Sequence, residues 1–409
     1  MEIKREKEIA YVIEPLFQGD DLADKLAEIC ELISSAGAEV YGNTAFTVRE
    51  IIPSAFVGSG KLAEILSEIE DTPVNTVVFD GELSPSQTLN MSAALGGVKV
   101  IDRTTLILDI FALNALSSEG KLQVELAQLK YIYPRLKGKG EALSRLGGGI
   151  GTRGPGETKL ETDRRHIRAR INSLEEKLKE LETRRDLQMR RRERNSCPTV
   201  ALVGYTNTGK STLLNALTGA DAFVKNQLFA TLDPTVRKLN LDGAEVLLID
   251  TVGFVRNIPH HIIEAFKSTL ELAVRADLIL NVCDGGNERW RAELETTLST
   301  LSEFDYLPEI LTVINKRDKI TDFSGYPKDA IFVSAKEGKG LDDLKKAISD
   351  KLSATFTVLD LRLGYSSLSA FNKAARYADK TEYSYGDEFV EVKATVKNAY
   401  IGKFSEFVK

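Results

Sequence analysis

Apolar residues recur along this chain with two periods, and the alternation between them lays out its elements. Ile9-Ala10-Tyr11-Val12-Ile13 reads as a strand, and Leu22 to Ser35 carries Leu22, Leu26, Ile29, Leu32 and Ile33 at helical spacing. An extended stretch from Ala38 to Val48 follows, then a helix from Lys61 to Ile69 and the strand Thr76-Val77-Val78-Phe79. A helix from Ser84 to Leu95 and the strand Val98-Lys99-Val100-Ile101 complete the series. Strands and helices taking turns predict a small parallel α/β domain over residues 1–115. From about Thr105 to Pro134 the pattern is helical, until the glycines between Gly147 and Gly156 break any regular element. A long helix then runs from about Glu157 to Arg194. Its Ile167, Ile171, Leu174, Leu178 and Leu181 step by four and three, the spacing of a coiled-coil seam. Residues 116–197 are therefore expected to form two long antiparallel helices with a Gly-rich tip. Apolar strands return at Thr199–Val203, Val246–Ile249, Ile310–Ile314 and Ala330–Val333, which defines a third domain over 198–354. The remainder, 355–409, reads as strand (Phe356 to Leu361), helix (Leu368 to Ala378), strand (Val390 to Val396) and short helix, a small α+β module.

Composition narrows the setting. A chain of 409 residues with 43% apolar content can bury several cores. Its three cysteines, Cys30, Cys197 and Cys283, are widely spaced and odd in number. They argue for a reducing compartment and against a disulfide framework. No C-x-x-C is present to support a metal cluster. The charged start Met1-Glu2-Ile3-Lys4-Arg5-Glu6 is no signal pattern, and no apolar run approaches the ~18 residues a membrane span needs. A cytoplasmic, monomeric protein with no membrane span is expected.

The third domain carries the chemistry. Gly204-Tyr205-Thr206-Asn207-Thr208-Gly209-Lys210-Ser211 is a complete G-x-x-x-x-G-K-S between an apolar strand and the helix-like run that starts at Thr212. Backbone N–H groups of such a loop face phosphates, Lys210 adds a point charge, and the Ser211 hydroxyl can ligate Mg²⁺. Asp250-Thr251-Val252-Gly253 ends the second strand as D-x-x-G. Asp250 would hold Mg²⁺ through water, and the Gly253 N–H would sense a γ-phosphate. Asn315-Lys316-Arg317-Asp318 ends the third strand as N-K-x-D. The Asp318 carboxylate can accept from the N1–H and 2-amino groups of guanine; adenine lacks both donors, and leaving a carboxylate unpaired costs about 1–3 kcal/mol or more. Ser334-Ala335-Lys336 can offer a backbone N–H to guanine O6. Phe229-Ala230-Thr231-Leu232-Asp233-Pro234-Thr235 lies between the first two motifs. Phe229 is taken as a nucleotide contact, and Thr231 as the switch threonine that closes on Mg²⁺ and the γ-phosphate. Each motif alone is weak to moderate; all of them in order at strand ends predict a P-loop domain that binds GTP and GDP, with Lys210, Thr231 and Gly253 at the reacting phosphate.

Two residues bear on mechanism. Phe254 stands where a water-orienting Gln would follow D-x-x-G, so intrinsic turnover is expected to be slow, on the order of 10⁻⁴ s⁻¹. Asn207 either holds a K⁺ ion that assists hydrolysis or simply accommodates an unusual φ in the loop. A second phosphate loop is suggested by Gly58-Ser59-Gly60-Lys61, but Ala55 and Leu62 break the pattern, and a helix start is the better reading.

Charge sets the helical segment apart. The chain carries −6 overall, yet Lys130 to Arg194 holds 19 Lys/Arg against 10 Asp/Glu, so a local +9 sits in a remainder of −15. Part of this is i,i+4 pairing such as Glu175–Lys179. The Arg164-Arg165…Arg168…Arg170 cluster and the basic residues around the glycines fit RNA contact better, with Arg153, Lys159, Arg164, Arg165 and Arg168 as candidate rRNA ligands.

The stretch from Gly149 to Arg165, the loop Gly204 to Lys210, the segment Phe229 to Thr235, and Asp250 to Arg256 followed by Ile258-Pro259-His260 together resemble the HflX family of ribosome-associated GTPases. The likeness spans essentially the whole chain and is thinnest after about residue 355. Phe254 conforms to the family pattern; Thr208 departs mildly, Ala being commoner there. The resemblance implies GTP-dependent binding to the large (50S) ribosomal subunit, hydrolysis stimulated there, and rescue of stalled ribosomes by splitting, often under stress. It implies that the basic helical pair enters the ribosome with its tip against rRNA. Some members also hydrolyse ATP through the N-terminal domain. A large-subunit assembly GTPase and a regulatory switch with a protein partner are the alternatives.

Overall fold

Strand β1 (Ile9–Leu16) is an interior strand of its sheet and is buried along nearly its whole length, successive side chains on both faces included. It pairs in parallel with β2 (Glu39–Thr47) and β3 (Thr76–Phe79), and β3 pairs in parallel with β4 (Lys99–Asp102), giving the order β2-β1-β3-β4. The computed structural model describes residues 7–136, 155–194, 197–219, 228–229, 235–241, 244–255, 262, 270–304, 306–354 and 356–408. The crossovers are helices α1 (Leu22–Ser35), α2 (Ser59–Ile69) and α3 (Pro85–Ala94). Asp21 caps α1, and Ser84 with Gln87 forms a reciprocal capping box on α3. Lys61, in the broken loop pattern, lies in the first turn of α2 and pairs with Glu64 at 2.9 Å, as a plain helix start would have it.

Charges are buried at the C-terminal ends of these strands. Glu14 lies 2.8 Å from Lys25, and Arg103 bridges Asp80 at 2.6 Å and Glu28 at 2.5 Å. Burial, reinforced by the neighbouring Asp80 charge, pushes the Glu14 carboxyl up to about 8.

The helix expected over 105–134 is two helices. α4 (Arg103–Asn114) ends where Ala115 turns extended at ψ 105°, and the Ser117 hydroxyl accepts from the Gly120 N–H at 2.8 Å to start α5 (Ser118–Arg135). Capping chemistry thus overrides a continuous apolar pattern. Helix α6 (Pro155–Arg194) has its expected seam: Leu174 is buried, and Ile167, Ile171, Leu178 and Leu181 are half-buried amid exposed neighbours. It touches α5 through a bidentate Arg170–Glu125 pair at 2.7 and 2.8 Å, through Lys130–Glu175 at 2.7 Å, and through the Arg164 guanidinium 5.3 Å from the Tyr133 ring centre. The Gly-rich tip lies outside the described residues.

The chain divides into two compact units, one comprising residues 1–179, 225–233 and 257–267, the other 180–224, 234–256 and 268–409. In the second, a six-stranded sheet has the order β10-β9-β8-β5-β7-β6. Its strands are β5 (Thr199–Val203), β6 (Thr235–Leu241), β7 (Ala244–Asp250), β8 (Leu278–Asp284), β9 (Glu309–Asn315) and β10 (Ile331–Phe332). All neighbours are parallel except β6, which pairs antiparallel with β7. Around it lie α7 (Lys210–Thr218), α8 (Trp290–Leu301) and α9 (Leu341–Ala354). Leu213, Leu214, Leu217, Leu344 and Ile348 pack on Val200, Leu202, Leu248, Leu280 and Val313.

The C-terminal module departs from its sequence pattern. β11 (Phe356–Gly364) is followed by α10 (Leu368–Ala374), shorter than expected, and then by β12 (Ala378–Tyr385) and β13 (Phe389–Lys397) in a three-stranded antiparallel sheet of order β11-β13-β12. β12 is an edge strand whose sequence, Ala-Asp-Lys-Thr-Glu-Tyr-Ser-Tyr, is mostly polar. Pairing with β13, not apolar alternation, makes it a strand.

Candidate guanine-nucleotide site

The loop between β5 and α7 is built on backbone conformations that side chains would forbid. Gly204 has φ +144°, and a Cβ there would fall 2.2 Å from the Val282 carbonyl oxygen. Gly209 has φ +88°, caps α7, and would meet Asn315 Nδ2 at 2.4 Å. Asn207 also takes a left-handed φ of +62°, a conformation that Asn tolerates better than most residues. The Lys210 ammonium is buried and donates to the carbonyls of Gly204 at 3.1 Å and Tyr205 at 2.7 Å. Burial lowers its pKa to about 8. The Thr208 hydroxyl donates to Tyr205 O at 3.0 Å, and Ser211 and Thr212 occupy the first turn of α7.

β7 brings Asp250 alongside. Its Oδ2 accepts from the Ser211 hydroxyl at 2.6 Å, while the Thr251 hydroxyl donates to Leu202 O at 2.7 Å. A carboxylate and a hydroxyl side by side at a phosphate loop are the hard oxygen donors that suit Mg²⁺. Thr231, their expected partner, lies outside the described residues. Gly253 follows, and a Cβ on it would come 2.8 Å from Thr206 Cγ2 and 2.9 Å from Lys210 Nζ, so only glycine allows this approach. Phe254 is buried; its N–H donates to Gly204 O at 3.1 Å and its carbonyl accepts from the Thr206 N–H at 2.7 Å. D-x-x-G is thus joined to the phosphate loop by a parallel bridge between Tyr205 and Phe254.

The motifs expected to read the base converge through Asn315. Its Nδ2 donates to Thr208 O at 2.9 Å and its Oδ1 accepts from the Ala335 N–H at 3.0 Å, tying phosphate loop to base loop. Lys316, at φ +57°, donates to Asn207 O at 2.9 Å and pairs with Asp284 at 2.6 Å. Asp284 escapes sequence reasoning; it stands opposite Asn315 at the end of the neighbouring strand, a register that only the assembled sheet shows. Asp318 is exposed, and the Ser334 hydroxyl donating to it at 2.6 Å holds its carboxyl below the usual range. Lys336 is exposed in the same loop.

The remaining candidates lie in the first unit or on α6. Phe229 is buried with its ring 4.6 Å from that of Phe111 at 73°, and the preceding Leu228 N–H donates to the Ser35 hydroxyl at 3.0 Å. Of the RNA candidates, Arg165 and Arg168 are exposed on α6, Arg164 is half-buried over Tyr133, the Lys159 side chain is not described, and Arg153 lies outside the described residues.

A G-x-x-x-x-G-K-S loop between strand and helix at the end of a mostly parallel sheet sets this molecule among the P-loop GTPases. The family described as 50S ribosome-binding GTPase matches residues 199–316, and those described as GTP-binding GTPase N-terminal and Middle Region match 23–112 and 114–192. The chain belongs to the HflX family of GTPases. It is 48% identical to GTPase HflX of Caldanaerobacter subterraneus subsp. tengcongensis over 97% of this chain and 92% of that one. It is 42% identical to GTPase HflX of Escherichia coli over 87% and 85% respectively. Among solved structures, a GTP-binding protein from Sulfolobus solfataricus in complex with GDP covers 85% of this chain and 99% of its own, at 24% identity and a TM-score of 0.46.

Proposed function

We propose that this GTPase works on the large (50S) ribosomal subunit, is stimulated there, and splits stalled ribosomes, often under stress, as a monomer in the cytoplasm. The observation that carries the reading is the match of residues 199–316 to a ribosome-binding GTPase family; the exposed Arg165 and Arg168 on a basic helix support contact with rRNA. Ser211 and, through water, Asp250 would hold Mg²⁺, which neutralises charge on the phosphates when bound. Lys210 and the Gly253 N–H face the transferred phosphoryl group, and Thr231 closes over it. Phe254 buries an aromatic ring where a polar side chain would orient water, so the chain alone turns over slowly, on the order of 10⁻⁴ s⁻¹. The missing group comes from the ribosome, from K⁺ held at Asn207, or from both.

GTP turnover by the purified chain, with and without purified large subunits and in matched KCl and NaCl, tests this. Turnover should rise with subunits, and the protein should pellet with them in the GTP state. No stimulation and no pelleting would remove the ribosomal reading; equal rates in the two salts would remove K⁺.

A further inference from the structure

The charges enclosed at the carboxyl ends of β1 and β3 do not balance. Ile13 pairs with Phe79, which sets Glu14 beside Asp80 at the next position, and the Asp80 N–H donates to Ile13 O at 3.0 Å. Lateral neighbours in a sheet point to the same face with their strands about 4.8 Å apart, so the two carboxyls lie side by side. Helix α1 adds Lys25, 2.8 Å from Glu14, and Glu28, 2.5 Å from Arg103; Arg103, the first residue of α4, reaches Asp80 at 2.6 Å. The side chains of Glu14, Asp80, Glu28 and Arg103 are at most 9% exposed and that of Lys25 13%, so three carboxyls are enclosed with two cations. Asp20, before α1, draws on Lys25 as well at 3.1 Å but is 31% exposed. Cys30, also on α1, offers no charge, because burial and the Glu14 carboxylate push its thiol up. β2 sets only Ala45 and Phe46 opposite Glu14 and Pro15. An enclosed charge in excess of its counter-charges is costly enough that the group takes up a proton instead. Arg103 is shared by Asp80 and Glu28, and the Lys25 ammonium by Glu14, Asp20 and the Pro15 carbonyl at 2.7 Å. Glu14 is the most enclosed of the three carboxyls and shares its cation three ways, which makes it the one to hold the proton.

We propose that the N-terminal domain folds around one proton, carried by Glu14 and donated to the Asp80 carboxylate, and that its loss at alkaline pH sets two adjacent carboxylates against each other and loosens the packing of β1 and α1. This is a pH-sensitive device in a part of the chain that the nucleotide chemistry does not use. Its direction follows from linkage. Burial and the Asp80 charge hold the folded Glu14 carboxyl at about 8, against about 4.5 when the segment opens to water. The stabilisation from the proton is complete below about 4.5, declines as pH rises, and is gone by about 8.

Hydrogen exchange of the full chain tests this, read peptide by peptide over β1 and α1 from about pH 6 to 9 and corrected for the intrinsic exchange rate. In the wild type the opening constant of these peptides should rise with pH, approaching tenfold per unit, and level off above about 8. Glu14→Gln replaces the protonated carboxyl by an amide that can still donate to Asp80, and its opening constant should stay flat over the same range. Lys25→Gln removes the cation that favours the charged carboxyl, and should carry the levelling point to higher pH. Lys210 titrates in the same window, but does so in all three chains and cancels from the comparison. A flat profile in the wild type, or the wild-type rise persisting in Glu14→Gln, would overturn the proposal. Where Glu14→Gln fails to fold, Lys25→Gln decides: a levelling point left at the wild-type pH would overturn it, and one moved upward would uphold it.

Discussion

Asp318 and Lys210 show how differently two charged residues of one site can be held. Asp318 is exposed and poised: Ser334 donates to one carboxylate oxygen at 2.6 Å, which orients the group without covering it. The base-reading role proposed for it needs a carboxylate that accepts from two ring donors, so Asp318→Asn should reverse the demand. The Asn amide can donate to the 2-oxo group of xanthine. Equilibrium titration should show GTP affinity falling by about tenfold or more and xanthosine triphosphate affinity rising. Equal GTP affinity in wild type and variant would remove Asp318 from base recognition. Lys210 is enclosed, and burial alone brings its pKa down to about 8. A bound phosphate must raise it, because the anion favours the charged form. The free site therefore loses its proton first as pH rises, and above about 8 binding has to take a proton up. Guanine-nucleotide affinity should hold from about pH 6.5 to 7.5 and fall as pH passes 8, approaching tenfold per unit. Titrations at about pH 7, 8 and 9 check the slope, and Lys210→Ala, which should bind triphosphate of any base poorly, supplies the baseline.

At the scale of the element, α6 sorts its arginines into structural and available ones, which its sequence does not. Arg170 is engaged with Glu125 through two bonds, and Arg164 lies over Tyr133, whereas Arg165 and Arg168 face solvent. Removing Arg165 and Arg168 together should weaken binding to large subunits. It should also flatten the salt dependence by about 0.7–0.9 in log–log slope for each rRNA phosphate no longer neutralised. Pelleting across a salt series measures this, and an unchanged slope would make the exposed arginines a solvated face. The same helix illustrates what periodicity can deliver. The steps of four and three from Ile167 to Leu181 name its less exposed stripe correctly, because the repeat is a property of consecutive residues. The break between α4 and α5 and the polar edge strand β12 are not legible that way. One hangs on the Ser117 cap, and the other on a partner strand.

In the whole molecule, the division between the two kinds of information follows distance along the chain. The parallel α/β class of the first domain, the phosphate loop and the D-x-x-G and N-K-x-D motifs at strand ends are legible in the sequence. Each is a run of adjacent residues whose backbone demands, such as the left-handed glycines of the loop, are local. Tertiary structure decided which of those residues are already occupied and by what. It placed Asp284 against Lys316 across 32 positions, and Asn315 between Thr208 and Ala335. It packed Phe229 against Phe111, and it buried the Thr206 hydroxyl with no hydrogen-bond partner among the described residues. Those outcomes depend on contacts between segments remote in the chain, where burial and hydrogen-bond satisfaction are settled only when the strands have assembled.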